Sequence, residues 1–540
     1  MGTMARALLL LLAFTLAAQS ADPFLQAAEN GRRFDEWALR CQKVLHVWLT
    51  HADPKTLLLP DRVAGPDPRG LKPGDTRRLY TPHNSAADLY PYLILTADLT
   101  DPALLAGRLR DMLRNEIRYA SAPDGVPFEL ELATGKASAP SLFGAGEYAK
   151  DGLVSVTELL GRTPWYTRML DMTAAAMARA PVETRFGRIP ASDAELNGDY
   201  LQVFPRLYRM TFDPRFLEWG RRIADAYMDE VLPGNFDLPS SRWDFTTHKG
   251  DGKLRLRDHG NEMIVGLVLQ YTLEQSLNSP RAAAWRPQME RMLDRVLASA
   301  NPDGLLYDEI DAATLKPISS RLSDNWGYVY GAAYAFYQAT GLTKYRDSVR
   351  RVLGNLPKYS GHDWENGSFD GIADSVESAI YLINREPSPD ADRWIEGEMK
   401  LMAAKQHDDG HIEYWYGEGN FNRTALLYMY WKSQGVRPAP WRPGLRIGAV
   451  RDGDCLYLST SAEATLRFDS QRFRRVLNLD RNYVRLNEFP EWFTVDENSL
   501  YRLRSGTNDR IVLGAEMVDG IRLPAGNWTV EPYRESQNLR

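Results

Sequence analysis

The sequence predicts a mainly α protein: an (α/α)6–7 toroid of helical hairpins followed by a small C-terminal antiparallel β domain. Three observations carry this. First, a helix–turn–helix phrase recurs every 50 to 65 residues or so, with turns at Pro102, Pro164, Pro214, Pro280 and Lys344 and a weaker copy around Pro387 and Pro389. Proline suits the first helical turn, where its missing N–H costs no hydrogen bond. Second, the two helices of each phrase differ. The first is apolar nearly all round, as in MIVGLVLQYTLE and YVYGAAYAFYQA, and the second carries arginines and acids on one face, as in FLEWGRRIADAYM. A helix apolar all round is buried and one with a single apolar stripe covers it, so an inner and an outer ring follow. Third, near Gln434 the chain changes character: VRPAPWRPG gives way to short β-like runs separated by Gly, Asp and Asn.

In chain order, residues 1–21 read as a secretory signal, with a basic start, an apolar run from Ala7 to Ala18 and small residues up to Ala21. The run falls short of the ~20 residues of a membrane span, and no later segment is apolar and long enough to be one. Residues 22–433 are expected to form the toroid, 434–444 a proline-rich linker and 445–540 the β domain. Asp-Gly turns flanked by alternating residues, in APDGVPFELELATG, NPDGLLYDEIDAAT and HDDGHIEYWYGEGN, predict short β-excursions from an outer helix to the next inner one. An open solenoid is the alternative. The ring is preferred because the copies stop at six or seven without a short regular period.

A net charge of −6 argues against a nucleic-acid partner. Two cysteines, Cys41 and Cys455, make neither a zinc spacing nor a disulfide framework, and a single bridge or two free thiols both stay open. No metal or cofactor is expected; Asp303, Asp308 and Asp311 lack EF-hand spacing and read as hairpin acids. The 14 Trp and 26 Tyr are mostly core residues, yet their flat faces also suit the C–H faces of sugar rings.

Polar residues gather where the apolar helices begin. His83 and Asp88, Glu147, Tyr148 and Asp151, Asp199, Arg257 to Glu262, Asn325, Trp326 and Tyr328, Asp370 and Asp374, and Arg423 each stand at such a start. A ring would bring these seven stretches to one central funnel. Acid pairs four apart, Glu147/Asp151, Glu195/Asp199 and Asp258/Glu262, share a helix face at a small repulsive cost. Acids at helix N-termini also serve as caps, and the arginines also serve as their ion-pair partners. Glycosidic cleavage needs two carboxyl groups across the bond, one protonated. Glu262 and Asp258 are the first candidates for that chemistry, with Asp199 and Glu147 next. His83, Tyr148, Arg257, His259, Asn325, Trp326, Tyr328 and Arg423 are the candidate substrate-binding residues, and the arginines suggest an acidic oligo- or polysaccharide.

The stretch SDNWGYVYGAAYAFYQATG resembles the place in unsaturated glucuronyl hydrolases where Asn and Trp precede an inner helix. More broadly, the chain resembles secreted α/α-toroid carbohydrate-active enzymes, including α/α-barrel glucuronidases and toroid polysaccharide lyases. That resemblance implies a glycoside hydrolase acting on a uronic-acid-containing glycan, from a chain end. The family pattern is Arg-x-Asn-x-Trp, whereas here Arg321 stands further ahead of Asn325 and Trp326. The alternatives are a lyase using His259 or Tyr328 as base beside Asn325 and Arg257, a non-catalytic glycan-binding protein, and more weakly a sugar epimerase.

Overall fold

The computed structural model describes residues 22–534, without the side chains of Asp258 and His259. The expected signal, residues 1–21, lies outside the described residues. The chain forms two compact units.

Outer and inner helices alternate along the chain, the first helix up to Trp37 and the last from Met429 falling in the second unit and the rest in the helical one. The outer ones are α1 Pro23–Thr50, α3 Arg108–Tyr119, α5 Pro164–Ala178, α7 Pro214–Ala226, α9 Pro280–Ala298, α11 Thr343–Asn355 and α13 Pro389–Ala403. The inner ones are α2 Tyr90–Thr100, α4 Val154–Leu160, α6 Ala194–Thr211, α8 Glu262–Ser276, α10 Trp326–Thr340, α12 Phe369–Ile383 and α14 Glu418–Lys432. Pro164, Pro214, Pro280 and Pro389 each open an outer helix, and Asp213, Ser279 and Ser388 cap theirs by accepting a backbone N–H.

The inner helices close on themselves. Tyr92 of α2 donates to the Asp151 carbonyl ahead of α4 (2.6 Å), and Tyr200 of α6 to the Leu142 carbonyl on the approach to α4 (3.1 Å). Gly198 of α6 sits so close to α8 that a Cβ there would overlap the Met263 nitrogen. Asn261 before α8 donates to Asn325 before α10 (3.3 Å), and Gly327 of α10 to Ser378 of α12 (3.2 Å). Thr424 of α14 donates to the Ala373 carbonyl of α12 (3.1 Å), and Asn422 of α14 donates to Thr96 of α2 (2.9 Å). Among the described residues seven hairpins thus make one ring, at the upper end of the predicted number.

The far end of the ring, at the inner-helix C-termini, is filled by residues 471–491, which belong to the helical unit. Arg485 pairs with Glu158 of α4 (3.0 Å), Glu488 with Arg385 just past α12 (2.9 Å) and Asp480 with Arg209 of α6 (2.6 Å). The linear division at residue 445 is therefore corrected: this segment lacks strand alternation and instead carries charges that find partners inside the ring.

Among the described residues, the second unit comprises 22–37, Met429–Ser470 and 492–534. Its sheet has five antiparallel strands, β1 Ile447–Asp452, β2 Cys455–Thr460, β3 Leu500–Ser505, β4 Asn508–Leu513 and β5 Gly526–Pro532, in the order β1-β2-β5-β3-β4. Alternate residues Leu456, Leu458, Leu503, Trp528 and Val530 are buried, as a one-sided sheet requires. The expected linker is itself part of a sheet, because Arg437–Pro438 pairs with Ala464–Arg467. Two of the predicted β-excursions contain strands, at Leu130–Glu131 with Lys136–Ala137 and at Glu309–Asp311. The third, around residues 407–417, is irregular and touches only an isolated bridge between Arg62 and Trp415. Both cysteines are free thiols. No helix among the described residues is long and apolar enough to cross a membrane.

Candidate active site

A cavity of about 380 Å³ opens where the inner helices begin, within the roughly 300–1,000 Å³ of small-ligand sites. Asp88 reaches it from the start of α2, Lys150 and Asp151 from α4, Arg257 and Glu262 from α8, Asn325 and Tyr328 from α10. Asp370 and Asp374 come from α12, and Asn420 and Arg423 from α14. Loops add Arg69, Arg255, Glu365, Trp415 and Tyr416. Asp88 and the Lys150–Asp151 pair lie on wide π-type turns, Ser85–Leu89 and Tyr148–Leu153, that precede regular helix. Such turns change which side chains share a face, and they recur at functional sites.

Two charged clusters form the base. In the first, the Lys150 ammonium, 1% exposed, meets Asp151 (2.8 Å), Glu262 (2.9 Å) and Asp199 (3.7 Å). Gln202 donates to the other oxygen of Glu262. Burial opposes the lysine's charge, but Asp151, Glu262, Glu147 and Asp199 outweigh it and hold its pKa well above the usual value. One ammonium cannot neutralise four carboxylates. Burial, then Asp199, pushes Glu147 well above the ordinary carboxylate range, and burial with Glu262 does the same to Asp199. Both are thereby biased toward their protonated forms.

In the second cluster, buried Arg423 pairs with Asp374 (2.5 Å) and Glu377 (2.6 Å), and its guanidinium lies over the Tyr92 ring. Tyr328 and Tyr381 both donate to Glu377. Between the clusters stands Asp88. Burial, then the neighbouring Asp151, raises its pKa well above the ordinary range, against the pull of Arg423 and Lys150. Asp370, which accepts from Asn420 (3.0 Å), is raised in the same way by burial and by Asp374 and Glu365.

At the rim, Arg69 pairs with Glu365 (3.2 Å) and Glu413 (3.4 Å) and lies 4.8 Å over the Trp415 ring. Arg257 shares Glu365 (3.2 Å). Glu418 holds the loop that carries Trp415 and Tyr416. One of its oxygens accepts the backbone N–H groups of Ile412, Glu413 and Tyr414 at 2.6–2.8 Å, and the other accepts Trp48 (2.7 Å) and lies 2.9 Å from the His411 ring. Among the described residues no group of three His, Cys, Asp or Glu side chains is arranged to hold a metal ion.

Of the residues singled out in the sequence, the structure brings Glu262, Arg257, Asn325, Tyr328 and Arg423 to the cavity wall, with Glu147 and Asp199 buried beneath it. Asp258 and His259 lie on a single 3₁₀ turn, Asp258–Asn261, and their side chains are outside the described residues. Three placements need correction. Trp326 is 0% exposed and packs on Tyr330, because the ring turns it into the core. Tyr148 points among Tyr80, Tyr90, Glu116 and Arg168, between inner and outer helices. His83 lies against Phe143 and Asp61, off the cavity wall. Sequence reasoning marked the starts holding Asp88, Asp151, Asp370 and Asp374 without ranking them, and missed Lys150, Arg69, Glu365, Trp415 and Tyr416. A lysine flanked by Glu147 and Asp151 in an otherwise small and apolar stretch, GAGEYAKDGLVSV, was the available signal.

No protein-family model matches the chain, and no curated protein does. Solved structures similar to it include an unsaturated glucuronyl hydrolase from Bacillus sp. GL1, at 11% identity over 54% of this chain and 87% of that one, TM-score 0.39. Another is an inactive variant of the α-1,6-mannanase GH76A of Salegentibacter sp. HEL1_6, in complex with α-1,6-mannotriose, at 13% identity over 58% of this chain and 95% of that one, TM-score 0.41. A third is a sugar epimerase from a ruminal bacterium, at 13% identity over 60% and 87%, TM-score 0.41. Likeness at this level says nothing of reaction or substrate.

Proposed function

We propose that this protein is a glycoside hydrolase in which Asp88 is the general acid and Asp151 the general base. The observation that carries the reading is the contrast between these neighbours. Asp88 is pushed toward its protonated form by burial and by Asp151, whereas Asp151 is held at 2.8 Å from the Lys150 ammonium. Two carboxyls whose environments drive them apart supply the proton donor and the proton acceptor that glycosidic cleavage needs. Glu262, the first sequence candidate together with Asp258, and the next candidates Asp199 and Glu147 then act as the frame that fixes Lys150. Asp370, pushed toward its protonated form by burial, Asp374 and Glu365, faces the cavity as a hydrogen-bonding partner for a sugar hydroxyl. Trp415 and Tyr416 offer ring faces at the entrance.

Residues 471–491 fill the far end of the ring, so the cavity is blind and suits the end of a glycan chain. Arg257 and Arg69 meet on Glu365, and a substrate carboxylate can compete for the same guanidinium forks; this supports a uronic acid at the chain end. Tyr328 is disfavoured as the base of the lyase alternative. Burial, then Asp374, raises its pKa well above normal, and its hydroxyl donates to Glu377, so it is a poor base.

The test is digestion of a panel of neutral and uronate-containing oligosaccharides, with products read by mass and by ultraviolet absorbance. Release of one terminal sugar with the mass of added water and no new unsaturated chromophore is expected. Asp88→Asn and Asp151→Asn should each lower kcat by about 10²–10⁴-fold. Full turnover by either variant, or an unsaturated product, rejects the assignment.

A further inference from the structure

Asn487, on the segment that fills the ring, is 1% exposed. Its side-chain amide donates to Asp151 Oδ1 (3.0 Å) and to the Lys150 carbonyl (3.0 Å), and its backbone carbonyl accepts the Ser155 hydroxyl of α4 (2.9 Å). The same Oδ1 receives the Lys150 ammonium at 2.8 Å. Two donors from different directions on one oxygen fix the rotation of a carboxylate and favour its ionised form. In a pocket crowded with acids, an amide is the side chain that donates without titrating.

The segment is anchored well enough to hold that amide in place. Arg485, 1% exposed, pairs with both Glu158 and Glu488 at 3.0 Å, and Arg206 of α6 donates to the Leu486 carbonyl (2.6 Å). Anchors from α4, α6 and the end of α12 thus surround Asn487 on a part of the chain more than 330 residues from Asp151. Its φ of 57° is left-handed, a conformation that Asn and Gly adopt most readily.

We propose that Asn487 is the positioning residue for Asp151, so that residues 471–491 belong to the catalytic apparatus. The inference rests on Asp151 being the base. Asn487→Gly removes the amide and suits the backbone; Asn487→Asp keeps the shape but sets a second carboxyl against Asp151. In the Gly variant, kcat on the glycan cleaved by the parent protein is expected to fall about tenfold to hundredfold, as for a misplaced catalytic group. KM should stay within about twofold. The acid limb of kcat/KM should move to higher pH, because losing a donor to the ionised form raises the pKa of the base, and the Asp variant should move it further. A crystal structure of the Gly variant should show the Asp151 carboxylate rotated. A purely structural role would lower Tm and leave the acid limb in place. An unmoved limb with unchanged kcat, or an Asp151 carboxylate in its parental orientation, overturns the proposal. If Asp151→Asn keeps full turnover, the base assignment has failed, and the crystal structure still decides whether Asn487 orients that carboxylate.

Discussion

At the scale of single residues, Lys150 decides the electrostatics of the base. A buried ammonium among carboxylates at 2.8–3.7 Å is stable only with its partners present. Lys150→Met would leave Asp151 and Glu262 charged without a counter-ion, and a loss of about 3–5 kcal/mol is expected, read by denaturant unfolding. Glu147 and Asp199 give a second test. Their folded pKa values lie above the unfolded ones, so the folded state binds more protons and its stability falls as pH rises from the usual carboxylate range of about 4 upward. Asp199→Asn removes one such proton. The variant's apparent Tm relative to the parent should therefore improve from pH 5 to pH 8, by about 2 °C, in scanning calorimetry. The reverse slope would show that Asp199 is ionised in the folded protein. The acids were legible in the sequence because they repeat at four-residue intervals. Lys150 was not, because α-helical spacing gives it no reason to join Asp151 on one surface, and the π-type turn that does so leaves no mark in composition.

At the scale of elements, the turns were the most legible part. Pro164, Pro214, Pro280 and Pro389 stand at helix starts as expected, because the steric rule that puts them there is local. Loop geometry was not legible: the HIEYWYGEG stretch reads as a hairpin, but Glu418 gathers three successive N–H groups and replaces strand pairing with a carboxylate clamp. Glu418→Gln keeps the size and loses the charge; hydrogen bonds to charged groups contribute about 1.5–3 kcal/mol, so the loop loosens and KM should rise more than kcat falls. Packing between α14 and the start of α2 makes a stricter demand. A Cβ on Gly419 would overlap the Asp88 carbonyl oxygen. Gly419→Ala is expected to displace Asp88 and cost activity well beyond its effect on Tm; full activity in that variant would detach Asp88 from the chemistry.

At the scale of the whole molecule, a ring was foreseeable from the recurrence of apolar and one-sided helices; the starts of α2, α4, α8, α10, α12 and α14 line one cavity, whereas Asp199 of α6 is buried beneath it. What fills the axis was not foreseeable. QRFRRVLNLDRNYVRLNEFPE lies between strands in the sequence, and its charges look like a solvated surface until Arg485 is seen to pair with Glu158 of α4 and Asp480 with Arg209 of α6. Hydrogen exchange should therefore show residues 471–491 protected in step with the inner helices; early exchange of the segment alone would separate it from the ring. During translation, the last inner helix ends at Lys432, yet the stopper is complete only at Glu491. At roughly 5–20 residues per second, a ribosome needs about 3–12 s for that interval. A nascent chain therefore waits for seconds with Glu158, Arg206 and Arg385 wet and its axis hollow, and chaperones have their natural opening in that pause.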